Sequence, residues 1–176
     1  MKNIQDWFSE YGESHQNKTN KLIHWICIPL IFWSIIALLS LIPDTLLNVF
    51  NNPFINDLIH WGTFVIFLGL LFYLRLSISI FLGMLVFSIL VLLDVYLTVY
   101  LFDAHKYWGL FKSLEMDGDL FLLILSIIVF IGSWILQFIG HKIEGKKPSF
   151  LKDIQFLLIG PAWLLGFIYK KNNIKL

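Results

Sequence analysis

The chain has 176 residues, 58% of them hydrophobic and 14% charged, with a net charge of +1 and a mean hydropathy of +0.77. Soluble domains carry about 25% charged residues, so this composition excludes an ordinary soluble fold. The near-zero net charge and the absence of a basic helix face exclude a nucleic-acid partner. A single cysteine, Cys27, excludes an internal disulfide and a thiolate metal cluster.

Residues 1–24 are mixed and polar, without the basic start, short apolar core and small-residue cleavage site of a signal peptide. Long runs without a charge follow, at 25–43, 58–73, 76–93 and 120–140. About 20 apolar residues cross roughly 30 Å of hydrocarbon as a helix. In that solvent each backbone amide must be bonded within its own segment. The reading is therefore an all-α membrane protein, a single domain over 1–176. Its four transmembrane helices are expected at about 24–43, 58–74, 76–101 and 119–140. In the third the apolar pattern runs on past Asp94 to Phe102, and Asp94 reads as an interfacial carboxylate. A fifth hydrophobic segment, 154–169, follows a helix start at Ser149 or Asp153. Gly160-Pro161 interrupts it by removing a backbone donor, so it reads as a Pro-broken re-entrant or interfacial helix.

Orientation follows from Lys and Arg in the connections. With the N-terminus inside, Lys2, Lys18, Lys21, Arg75, Lys142, Lys146, Lys147 and Lys152 lie on the inner side, against Lys106 and Lys112 outside. The expectation is a cytoplasmic N-terminus. Topology then sorts the histidines. His15, His24 and His141 collect at the inner face, whereas His60 and His105 fall at the outer one.

The stretch EYGESHQNKTNKLIHW, residues 10–25, delivers two of these imidazoles. Asn17 to Asn20 form a natural break, with Thr19 or Asn20 suited to cap the entering helix. Two helices meeting at an angle can aim both rings at one point. Glu144, three residues after His141, shares its helix face. Three imidazoles and a carboxylate suit iron, zinc or another first-row ion. The plainer alternative makes each histidine an interfacial polar cap, Glu144 an exposed ion pair with Lys147, and Trp7, Trp25 and Trp163 belt aromatics. No HxxxH cluster, HExxH helix, GxSxG elbow or P-loop occurs. The span interiors of the first, second and fourth segments hold no ionisable residue, which argues against a transporter.

Two stretches, YGESHQNKTNKLIHWICIPLI (11–31) and QFIGHKIEGKKPSFLKDIQFLLIGPAW (137–163), resemble the signature regions of a small membrane-protein family. That family contains the fungal endoplasmic-reticulum 2-hydroxy fatty acid dioxygenase of phytosphingosine breakdown and many bacterial members. The resemblance implies an Fe(II)-dependent dioxygenase that uses O₂ for α-oxidation, turning a 2-hydroxy fatty acid into a fatty acid one carbon shorter. By position it assigns His15, His24 and His141 as catalytic metal ligands, with Glu144 matching the motif as well. Three protein ligands leave the open coordination positions that non-haem iron oxygenases use. Lys142, Lys146 or Lys147 would attract the anionic head group. Gln137, Asn20 and Asp153 would orient the ligating rings. The implied location is a bacterial inner membrane, with the active site at the cytoplasmic face. Two alternatives compete: a non-catalytic lipid-binding or assembly protein, and a zinc-dependent lipid hydrolase.

Overall fold

A computed structural model of the protein describes residues 2–43, 52–105, 116–148 and 155–176. Among these residues there are seven helices and no strand: α1 (Ile4–Gly12), α2 (Lys18–Ser40), α3 (Pro53–Leu58), α4 (Trp61–Leu76), α5 (Ile78–His105), α6 (Gly118–Glu144) and α7 (Phe156–Lys171).

Local chemistry sets the helix ends. Asn3 and Asp6 form a reciprocal capping box at α1. The cap of α2 is Asn17, not Thr19 or Asn20: its side chain accepts the amides of Thr19 and Asn20 at 2.8 and 3.4 Å. This starts α2 before residue 24, where the span was expected, and leaves the Asn20 side chain available for tertiary contacts. The connection between α4 and α5 is a single extended residue, Ser77, with φ −166° and ψ 131°. Gly145, at φ 72°, ends α6 in the left-handed conformation that a glycine C-cap takes without strain.

Three of the four expected spans are long and apolar enough to cross a membrane: Lys18–Ser40 with 23 residues, and Ile78–Ala104 and Gly118–Glu144 with 27 each. The other, α4, has only 16 residues and reaches about 24 Å at 1.5 Å per residue. The exterior fits a lipid solvent. Ile128, Leu90 and Val86 are 64%, 60% and 59% exposed, while Ser34, Ser126 and Asn20 are fully buried. Apolar residues outside and small polar ones at helix contacts are the pattern of helices packed in hydrocarbon.

The central element is α2. Its most extensive contact is with α6, and it also packs against α4, α5 and α7. α4 and α5 form a hairpin, and α1 lies along α7. Pro161 does not break α7, which runs as one helix from Phe156 to Lys171. Packing holds it in place: Phe156, Ile159, Trp163 and Leu164 join Trp7, Tyr11 and Ile28 in one buried cluster of α1, α2 and α7. Tyr73 adds a hydrogen bond from its hydroxyl to the Leu158 carbonyl at 2.6 Å. Ser149, Asp153 and the start of the fifth segment lie outside the described residues, as do Lys106, Lys112 and Lys152.

Candidate metal centre

Three elements each contribute one histidine. His15 sits in the connection after α1, His24 in the second turn of α2 and His141 near the end of α6. Their exposures are 1%, 1% and 5%. The ring centroids are 4.3 Å apart for His15–His24, 5.0 Å for His15–His141 and 4.9 Å for His24–His141. One ring nitrogen from each lies within 4.8 Å of the others.

The backbone fixes two of the tautomers. His15 Nδ1 donates to the Tyr11 carbonyl at 2.6 Å, and His24 Nδ1 donates to the Asn20 carbonyl at 2.9 Å. A proton held on Nδ1 leaves the Nε2 lone pair free, the arrangement that a metal-ligating histidine needs. His15 Nε2 and His141 Nδ1 are buried and have no hydrogen-bond partner. Such orphaned groups cost about 1–3 kcal/mol each, and one shared ion would satisfy them together. Burial, reinforced by His24 and His141, pushes the pKa of His15 down to about 3, against the opposing pull of the Tyr11 carbonyl and Glu144. His15 is therefore neutral at neutral pH and can ligate without first losing a proton. The donor set fits a first-row divalent cation with open positions.

The triad is clamped from both sides. The Tyr11 ring stacks on His15 at 4.2 Å and 11° between planes, and Trp163 of α7 lies 5.4 Å away. Glu144 does not stand among the ligands. Its Oε1 accepts the Gln16 amide at 2.8 Å, and its Oε2 accepts the Asn17 amide at 2.8 Å and Asn20 Nδ2 at 3.2 Å. That carboxylate clasps the connection carrying His15 to the end of the helix carrying His141. Asn20 also donates to the Ser14 carbonyl at 3.1 Å, and Lys146 donates to the Glu13 carbonyl at 2.7 Å.

A cavity of about 490 Å³ opens from the triad, with His15, His24, His141 and Gln137 at one end and aliphatic and aromatic side chains beyond. It reaches Ile35 along α2 and Phe130 along α6. Each lies eleven residues from its histidine, His24 or His141, so both helices give a depth of about 17 Å at 1.5 Å per residue.

The family described as 2-hydroxy-palmitic acid dioxygenase Mpo1-like matches residues 1–172. The chain belongs to this family. No curated protein and no solved structure matches it significantly.

In this Mpo1-like chain the expected residues divide into groups. His15, His24 and His141 come together, with Gln137 beside them in the cavity wall. Asn20 and Lys146 brace the connection, and Lys142 is exposed. Asp153 lies outside the described residues. His60 is buried elsewhere, where its Nδ1 caps α4 by accepting the Gly62 amide at 3.0 Å. Sequence reading missed Tyr11, both as a stacking partner and, through its carbonyl, as a ring orienter; Asn20, expected to orient a ring, contacts His24 through its backbone carbonyl. The signal available was spacing: each of these residues precedes its histidine by four.

Proposed function

We propose that the protein is an Fe(II)-dependent dioxygenase that converts a 2-hydroxy fatty acid into a fatty acid one carbon shorter. The observation that supports this reading best is a buried three-histidine set, with unsatisfied ring nitrogens on His15 and His141, at one end of an apolar cavity. Membership of a family named for 2-hydroxy-palmitic acid dioxygenase supports it independently.

His15, His24 and His141 would hold the ion, which when bound supplies dioxygen activation and an anchor for the hydroxy-acid head. The carbonyls of Tyr11 and Asn20 keep two of those rings in the ligating tautomer. Gln137, one turn before His141, lines the cavity beside the triad and would donate to the head group. The aliphatic wall takes the tail and excludes water. The reaction balances without an external reductant. One dioxygen cleaves the bond between the carboxyl and hydroxyl carbons, leaving the shortened acid, carbon dioxide and water. The Lys and Arg distribution favours an orientation with the triad at the cytoplasmic face; a bacterial inner membrane is part of the proposal.

A three-histidine set also suits catalytic zinc, so metal identity is the test. Protein purified anaerobically in detergent is analysed for metals, wild type beside His141→Ala, and then supplied with Fe(II), O₂ and 2-hydroxypalmitate. Near-stoichiometric iron, lost in the variant together with turnover, is the expected result. Zinc without turnover of the hydroxy acid would replace this reading with a lipid hydrolase. Failure to bind either metal would leave a lipid-binding or assembly protein.

A further inference from the structure

The cavity ends at the three buried histidines, and the exposed side chains along its walls are Ile35 and Val65 and, on α7 and its cap, Leu157 and Gln155. α4 and α6 both pack along α2, and their contact with one another is slight beside those seams. The walls facing this gap carry Ile35 of α2, Val65 of α4, and Phe130 and Trp134 of α6. Ile35 and Val65 are 36% and 42% exposed, against 1% for His15 and His24. The gap therefore faces the surroundings of the helices, at a depth of about 17 Å from the triad. That is about half of the roughly 30 Å hydrocarbon core, or one leaflet. A chain anchored at the triad would lie over the same depth as the lipid tails beside it.

We infer that the substrate's acyl chain enters sideways from the bilayer between α4 and α6, and that its distal end stays in contact with lipid. Only the identity of the head group rests on the dioxygenase reading; the apolar slot with its polar end suits any long-chain amphiphile. A route through water would expose every methylene of the chain at a free-energy cost. Sideways passage exchanges one apolar environment for another. Longer chains extend past Ile35 and Val65 into the bilayer, where each added methylene stays among lipid tails, so binding from the membrane depends little on chain length.

The test reads binding, not turnover. A long-chain 2-hydroxy fatty acid with a diazirine near its terminal carbon is added anaerobically to the protein in phosphatidylcholine vesicles. Adducts after illumination are mapped by mass spectrometry. The expected adducts fall on Ile35, Val65, Phe130 and Trp134, and excess 2-hydroxypalmitate competes them away. Val65→Trp, which fills the opening, should lower labelling at least tenfold. Leu90→Trp, on the exposed face of α5, should label as wild type, and equal thermal unfolding of both variants excludes misfolding. Adducts on Phe8 and Phe167, which line a separate pocket between α1 and α7, would overturn the inference. Undiminished labelling of Val65→Trp would do the same. A protein that labels in the slot but never oxidises the hydroxy acid keeps this inference and loses the dioxygenase reading.

Discussion

Asn20 does three things with one residue. Its backbone carbonyl orients His24, its Nδ2 ties together the Ser14 carbonyl and Glu144, and its Oδ1 lies against Gly140, the residue before His141. A Cβ on Gly140 would stand 2.4 Å from that oxygen, so Gly140→Ala must displace Asn20 although it touches no ligand. The expected result is a clear loss of metal occupancy. Gly132→Ala on the same helix meets nothing within 4 Å and should bind metal as wild type does. Cobalt titration followed by its visible spectrum checks both. Glu144 gives a graded series. Glu144→Ala removes the acceptor of three N–H groups and should weaken metal binding about 10- to 100-fold, the usual size of such supporting effects. Glu144→Gln keeps one acceptor oxygen and should fall between Ala and wild type. If Glu144→Ala bound cobalt with wild-type affinity, the clasp would have no bearing on the site.

At the scale of elements, α1 and α7 hold the triad from the side that α2 and α6 leave open. Gly166 permits this: a Cβ there would lie 2.5 Å from the Phe8 ring. Gly166→Leu should therefore push α1 off α7 and loosen the Tyr11–His15 stack. Faster hydrogen exchange over residues 4–15, with α4 and α5 unchanged, is the measurement that shows it. Much of this scale was legible in the sequence. The uncharged runs located α2, α5 and α6, and the order of those runs put His15, His24 and His141 at one end, where the structure brings them together. Glu144 was misjudged because a spacing of three on a helix shows only that two side chains share a face. The connection at 13–17 folds back onto that face by tertiary packing, and it takes the carboxylate with its own amides. Pro161 misled for a related reason. A missing donor weakens a helix in isolation, but α7 is buried along Phe156, Ile159, Ala162 and Trp163, and packing outweighs one lost hydrogen bond.

For the molecule as a whole, the lengths of the helices do not match. α2, α5 and α6 reach roughly 35–42 Å, more than the hydrocarbon core needs, whereas α4 reaches only about 24 Å. Long helices adapt to a thinner bilayer by tilting, but a short one cannot lengthen. α4 is also the helix that carries Val65 at the cavity opening and Tyr73 on the α7 contact. Bilayer thickness should therefore act on the site through α4. In vesicles of saturated or mono-unsaturated phosphatidylcholines of increasing chain length, thermal stability should be highest in the thinner membranes. It should fall as the core thickens beyond about 30 Å, where α4 must drag polar ends into lipid or pinch the bilayer at a modest cost per ångström. Metal retention should decline in the same order, since displacement of α4 pulls on α7 through Tyr73 and, through the buried cluster of α7 with α1, on the residues that hold His15. A stability that does not change with thickness would mean that α4 is not obliged to cross the membrane, and that the three long helices alone set the protein's fit to the bilayer.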